Sequence, residues 1–392
     1  MANANPVNSW DSAALVVSET VLGTVPAPAA GQAIETIALD TGLGEVGMTR
    51  GAKDRNVGRG MQSQFVEGRV KPIAWSLETS CKTRGSAGTV PKESAVLKAA
   101  GLLETAGGTV VYTLPADPIN GGAFSPMSVY RVFGKSPYTQ EAEQLRGGYV
   151  KSLSWSGGDK ELTLKASGEG IGKNVLGYTS SVTCTIGAVS LTLTGDDIYR
   201  TDPGYYMIES EVVLLGTGVA GVYPMTRAQL GTSAAAHTAV PMRPYIPALT
   251  YLGAPISESG TTCLIDGASA RILSFHVDLT TGMDALPGES GSKYVQGVKG
   301  IRYDVKAGCK VALKSDDVNW LGKAKARKTV AVQFIGAPAG AVGGQAYTFN
   351  LPQVEIEPFK IPDTANDIAM VDLSFRVRDS AAGNDAFNLI LS

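Results

Sequence analysis

Ile73-Ala74-Trp75-Ser76-Leu77-Glu78-Thr79-Ser80 sets large apolar side chains at 73, 75 and 77 between small or polar ones. Successive side chains of an extended chain point to opposite faces, so this stretch predicts a strand with one buried face. The pattern returns in Arg271-Ile272-Leu273-Ser274-Phe275-His276-Val277-Asp278-Leu279, where Leu273, Phe275, Val277 and Leu279 share a face against Ile272, Ser274 and His276. Residues 146–166 carry it a third time, with Val150, Leu153, Trp155, Leu162 and Leu164 around Gly157-Gly158-Asp159, which predicts a hairpin. Between the first two stretches lies a short helix signal. Thr89 can cap it, Pro91 suits its first turn, Val96, Leu97 and Ala100 share a face, and Gly101 can end it.

Composition agrees with a chain of many short strands. Only 18% of residues are charged, and 47 glycines and 20 prolines supply turns, so a mainly β fold is expected. A length of 392 residues suits two domains with a small insertion better than one core. A net charge of −2 argues against gripping nucleic acid, because phosphate contacts need a concentrated Lys/Arg surface. Cys81, Cys184, Cys263 and Cys309 lie far apart without CxxC spacing and read as reduced, buried, structural thiols. Met1-Ala2-Asn3-Ala4-Asn5-Pro6 has neither a basic n-region nor an apolar h-region, and no stretch approaches the roughly 20 apolar residues of a membrane span. A product made and kept in the cytosol is expected.

Along the chain, residues 1–12 read as a polar arm. From about 178 the character shifts to Thr, Ser, Gly and Ala, and the Pro-rich stretch 241–247 marks a boundary. This predicts a small β module over 178–246, set between main-body segments 13–177 and 247–392. A weak repeat links those segments. Trp75 to Lys82 precedes one helix, and Ile301 to Lys310 precedes another, capped by Ser315 with Asp316 and Asp317 in its first turn. Both carry the order alternating strand, Cys-Lys, loop, helix, which predicts a duplicated fold.

The residues that enzymes use are thinly supplied. His237, in an Ala-rich loop, and His276, on a strand, are the two histidines, and neither has neighbours in sequence that suggest a base beside a nucleophile. Gly168-Glu169-Gly170-Ile171-Gly172-Lys173 resembles a phosphate loop only superficially, since Asn174 stands where Ser or Thr is required, and it reads as a turn. Asp196-Asp197 and Asp316-Asp317 lack the ligand rhythm of a calcium loop and suit turn and helix-start roles. No catalytic residue, metal or cofactor is expected. The basic stretch 48–60 lacks interleaved aromatics for base stacking and reads as a long loop that orders against a neighbouring subunit. Trp75, Trp155 and Trp320 could in principle form the stacking platforms of an adhesin or carbohydrate-binding β-sandwich, but their positions suit a core.

Residues Trp75 to Thr79 lead through Gly85-Ser86-Ala87-Gly88-Thr89-Val90-Pro91 into Leu97-Lys98-Ala99-Ala100-Gly101-Leu102. This succession resembles the tail tube (major tail) proteins of long, non-contractile-tailed bacteriophages, in which a "G-x-A-G-x-x-P" loop precedes a helix ending "L-K-A-x-G-L". Ile368 to Val377 followed by Gly383 to Leu391 is similar to that family's closing hairpin. The resemblance spans roughly 13–175 and 248–392. It implies two tail-tube-type domains, each of packed antiparallel sheets with a flanking short helix, whose strands join an intersubunit β-barrel. It implies a virion subunit, assembled in the host cytoplasm, that stacks as rings around a lumen through which genomic DNA passes unbound. A duplicated chain would close a near-sixfold ring as a trimer, with a hexamer as the alternative. Tail tip, tape measure and tail terminator proteins are the implied partners. Arg55, Arg59 and Gln62 would then lie on a loop reaching an adjacent subunit or ring. The lumen is expected to be neutral or weakly acidic so that DNA slides. The 178–246 module is expected to face outward and to be dispensable for assembly.

Overall fold

The computed structural model describes residues 13–42, 48–57, 60–70, 72–82, 88–115, 124–133, 141–158, 161–249, 255–256, 261–286, 297–300, 303–312, 319–336, 346–359, 370–379 and 385–392, with the backbone path alone for 48–57 and 60–70. The chain is mainly β, as its alternation predicts. The first half runs β1 (Ala13–Ser18), β2 (Ala33–Ile34), β3 (Thr36–Asp40), β4 (Met48–Val57), β5 (Gly60–Val70), β6 (Ile73–Ser80) and α1 (Ser94–Ala99). It continues through β7 (Leu103–Ala106), β8 (Val110–Thr113), β9 (Met127–Phe133), β10 (Glu141–Gly157), β11 (Thr163–Gly170) and β12 (Gly172–Leu176). Six strands follow in the inserted segment: β13 (Thr179–Cys184), β14 (Ser190–Thr192), β15 (Gly204–Ile208), β16 (Glu211–Leu215), β17 (Val222–Gln229) and β18 (His237–Pro244). The second half holds β19 (Thr262–Ile265), β20 (Ala268–Ala270), β21 (Ile272–Thr280), β22 (Asp284–Leu286), β23 (Gly297–Lys299), β24 (Asp304–Ala312) and α2 (Asn319–Lys325). It ends with β25 (Thr329–Gly336), β26 (Tyr347–Ile356), β27 (Met370–Val377) and β28 (Asn388–Leu391).

All named pairings are antiparallel, and the second half repeats those of the first. The β1–β2, β1–β9, β9–β10, β10–β11, β10–β12, β11–β6 and β6–β3 pairings recur as β19–β20, β19–β25, β25–β26, β26–β27, β26–β28, β27–β24 and β24–β21. The β4–β5 ribbon has a short counterpart in β22–β23, and α1 and α2 occupy the same place in the order. The Cys-Lys dipeptides are not the equivalent points. Both β3 and β21 carry a bulge, at Ile37 and Leu273, and aligning the bulges sets Glu78 opposite Ala38 against Lys310 opposite Ser274. Cys81 lies just past the end of β6, whereas Cys309 is inside β24.

Each half folds its strands into two layers, and the layers curl into a nearly closed barrel around one apolar interior. The stretches expected as separate tube domains share that interior. Trp155 of β10 meets Phe349 of β26 edge-on at 5.5 Å and stacks on Phe387 at 5.8 Å, while Phe275 stacks on Phe334 at 4.7 Å. Pairs of this kind add about 0.5–1.5 kcal/mol each beyond the area they bury. Trp75, Trp155 and Trp320 are all buried, so none offers a platform to a sugar. The four cysteines are likewise buried and unbridged.

The inserted strands form a sheet of their own, ordered β13-β18-β15-β16-β17-β14. Its inner face lies on the first half: Val182, Leu191, Tyr206, Val213 and Met242 pack in one cluster with Leu15, Val17, Tyr130, Val132 and Leu176. The insertion thus covers apolar side chains of the first half rather than standing apart from the main body.

Several local expectations change as well. The segment around 48–60 is a long two-stranded ribbon rather than a loop, because its strands pair with each other from Met48↔Val70 to Val57↔Gly60. α1 begins at Ser94, later than Thr89 could cap, but Gly101 ends it at φ 76 as expected. Ser315, Asp316 and Asp317 lie outside the described residues. β27 and β28 do not form a closing hairpin; they lie in succession along β26, as β11 and β12 do along β10. Gly168 to Lys173 ends β11, bends at Ile171 and starts β12, and a Cβ on Gly168 would stand 1.9 Å from the Tyr149 carbonyl oxygen, so close backbone approach requires glycine there.

Candidate assembly surface

One layer runs continuously through both halves in the order β3-β6-β11-β10-β21-β24-β27-β26. Its inner face is the barrel core, and its outer face is polar. A single cross-strand row shows the alternation: Ala38, Glu78, Lys165, Ser154, Asp278, Lys306, Arg376 and Glu355 stand side by side across the eight strands. Neighbouring rows add Asp40, Glu169, Asp304 and Asp372 to the carboxylates, and Lys151 and Lys310 to the cations. In these rows carboxylates outnumber cations, and three of the five cations are matched. Lys165 lies 3.3 Å from Glu78, Lys151 lies 2.6 Å from Glu169, and Lys306 lies 3.5 Å from Asp304. Exposed pairs of this kind add little stability, but they cancel the positive field that would hold a polyanion. A concavity on this face, an open groove of ≈ 930 Å³, is lined by both signs, with His276, Asp278, Asp304, Lys306, Arg376 and Asp379 among its walls. It is no anion cradle.

The two halves meet along this layer. Ser152 to Gly157 of β10 pair with Thr280 to Phe275 of β21, and this seam is the single ladder by which the layer passes from one half to the other. Because β10 corresponds to β26 and β21 to β3, the outer ends of the layer repeat the two edges joined at the seam. Among the described residues β3 pairs with β6 alone, and β26 beyond Glu355 is bonded on the β27 side alone. β3 is an open edge of the kind that serves as a template for pairing with another chain, and β26 adds a short one at Ile356.

Of the residues implied for an intersubunit loop, Arg55 and Gln62 face each other across the β4–β5 ribbon. Arg59 lies outside the described residues. A strand pair, rather than a loop, therefore carries this position.

The histidines divide. His276 stands on the polar face opposite Ser156 and Gly308, as its alternation indicated. His237 heads β18 rather than sitting in a loop, is 2% exposed, and does have charged partners. Its Nδ1 lies 2.9 Å from Glu209 and its Nε2 2.8 Å from Glu211, which also receives Arg227 Nε at 2.9 Å and the amides of Ala228 and Ala235 at 3.1 Å. Burial alone would raise the Glu211 carboxyl, but the bonds from Arg227, His237 and the two amides prevail and hold it at about 2. Cys184 lies opposite His237, yet burial raises its thiol above the usual range despite Arg227 nearby, the opposite of an activated nucleophile. The cluster ties β13, β16, β17 and β18 together. No local sequence signal places Glu209, Glu211, Arg227 and His237 in one group.

Among the described residues no group of side chains could hold a metal ion, and no helix is long and apolar enough to cross a membrane. No known family model matches the chain, and no curated protein matches it.

Proposed function

We propose that this chain is a non-catalytic structural subunit that closes with copies of itself into rings, stacked as the hollow tail tube of a long-tailed bacteriophage. The observation that carries the reading is the internal seam. Two topologically repeated halves are joined by an antiparallel pairing of β10 with β21, and of the equivalent edges β3 stands open along its length while β26 is open past Glu355, at Ile356. Repeating the seam between chains satisfies both edges at once, and a head-to-tail contact that recurs by a fixed rotation closes into a ring. Three duplicated chains would give a near-sixfold ring, with six chains the alternative. The polar, slightly acidic outer face of the layer would line the lumen and let DNA pass without being held. The β4–β5 ribbon, carrying Arg55 and Gln62, would reach the neighbouring ring. The tail-tube identity itself rests on the resemblance of the Trp75 to Leu102 succession.

Electron microscopy of the concentrated protein, averaged along the ring axis, tests the reading. Hollow rings or tubes with three chains around the axis are expected. Six chains would discard the trimer, and compact monomers at every concentration would overturn the assembly.

A further inference from the structure

The internal seam is covered on its outer side in a way that the proposed seam between chains cannot copy. At the internal seam the turn ending α1 touches the second half directly: Tyr303 Oη donates to the carbonyls of Ala100 and Gly101, at 3.3 and 2.9 Å. Just beyond, β8 pairs with β28, Val110–Thr113 against Leu391–Asn388. The first half thus reaches across with its helix-ending turn and its β7–β8 hairpin to cover the last strand of the second. The second half has no such hairpin, because three residues, Ala326, Arg327 and Lys328, connect α2 to β25. The strand equivalent to β28 is β12, and in the chain it is covered by the inserted module. Leu176 bridges to Thr201, the Asp202 amide donates to the Val175 carbonyl at 3.1 Å, and the Val175 amide donates to Asp202 Oδ2 at 2.7 Å.

The turns ending the two helices are built alike, with one exception. After α1, Gly101 donates to Lys98 and Leu102 to Leu97; after α2, Arg327 donates to Ala324 and Lys328 to Lys323. This doubly bonded turn needs a left-handed residue, and glycine suits it, as Gly101 does at φ 76. The second half places arginine there at φ 51, a conformation that a side chain with a Cβ adopts only at a cost. Lys325, Arg327 and Lys328 are all exposed, and Lys325 and Arg327 enter no ion pair among the described residues. Facing this position across a repeated seam would be the module segment that covers β12. That segment opens with Asp196 and Asp197 in the first turn of the 3-10 helix Gly195–Arg200, which leads directly into Thr201 and Asp202.

Resting on the ring reading above, we propose that the basic turn Lys325–Lys328 of one chain docks on the Gly195–Asp202 segment of the module of the next copy. The module then takes at the outer seam the place that the β7–β8 hairpin takes at the inner one. Strained placement of Arg327 and charge complementarity across the seam point to the same contact.

Sedimentation velocity and electron microscopy of the full chain across a concentration series test it. Arg327→Gly, which installs the residue used in the first half, should leave the melting temperature of the free chain unchanged or higher while raising the ring-forming concentration about threefold. Reversing Asp196 and Asp197 to lysine should raise it about tenfold, and adding Lys325→Glu with Arg327→Glu to that variant should restore it. If the unaltered chain forms rings and these variants form them at the same concentration, or the combined reversal gives no recovery, the docking is overturned and the ring reading stands. If the unaltered chain forms no rings, the two fall together.

Discussion

The outer layers of the two halves share one strand order and differ in what their outer faces present. In the first half, Leu15, Tyr130, Gln144 and Asn174 stand in one row across β1, β9, β10 and β12, and none is more than 2% exposed. In the second, Leu264, Gln333, Asn350 and Asn388 form the row across β19, β25, β26 and β28, and all four are partly exposed. The amide of Gln144 donates to Tyr130 Oη at 3.0 Å and to Ser128 Oγ at 3.2 Å, while Asn174 donates to Gln144 and to the Pro203 carbonyl of the module. In the second half Gln333 donates to Asn350 at 3.2 Å, with solvent beside both. One backbone framework therefore serves as an interface or as a wet surface according to its side chains. The first half has been adapted to its insertion, and removing the insertion would not return it to the state of the second.

The largest expected effect follows from that adaptation. Deleting 178–246 should yield insoluble protein, because Leu15, Val17, Tyr130 and Val132 would form a contiguous exposed apolar patch. Adding Leu15→Thr, Val17→Thr, Tyr130→Gln and Val132→Thr to the deletion should recover soluble chain. A soluble, folded deletion without these changes would break the comparison, as gel filtration and circular dichroism would show.

A matched pair of substitutions gives a smaller, quantitative version. Leu15→Asp should destabilise by about 3–5 kcal/mol, since it buries a carboxylate that nothing neutralises, while Leu264→Asp should cost about 1 kcal/mol or less. Denaturant unfolding of both variants measures the difference, and equal losses would mean that the two outer faces are not in different environments.

The smallest effect concerns acid. Glu211 is depressed from the usual 4.5 to about 2 in the folded chain, so its contribution is fully present above about 4.5 and is lost as pH falls toward 2. Melting temperature followed from pH 7 to pH 2 should decline through that window. Glu211→Gln should melt lower at pH 7 and show a flatter decline, and an unchanged slope would remove the cluster from the account of acid lability.

The sequence by itself determined the local structure. Alternation at 73–80 and 271–279 foretold strands with one buried face, Gly157-Gly158 foretold the β10–β11 turn, and the tryptophans read as core because their neighbours on the same face are apolar. These features repeat every second residue, so a short window contains them. Tertiary structure alone decided which strands meet. β27 and β28 look like a hairpin in sequence, yet both pair with β26; the ribbon at 48–70 looks like a basic loop; and His237, with no hint nearby, closes on Glu209 and Glu211. The seam between β10 and β21 joins residues more than 100 positions apart. Strand period states that a face must be covered but not by what, because any apolar face of suitable register lowers the free energy in the same way. Choice among partners depends on loop closure and packing summed over the whole chain, and that sum exists only in three dimensions.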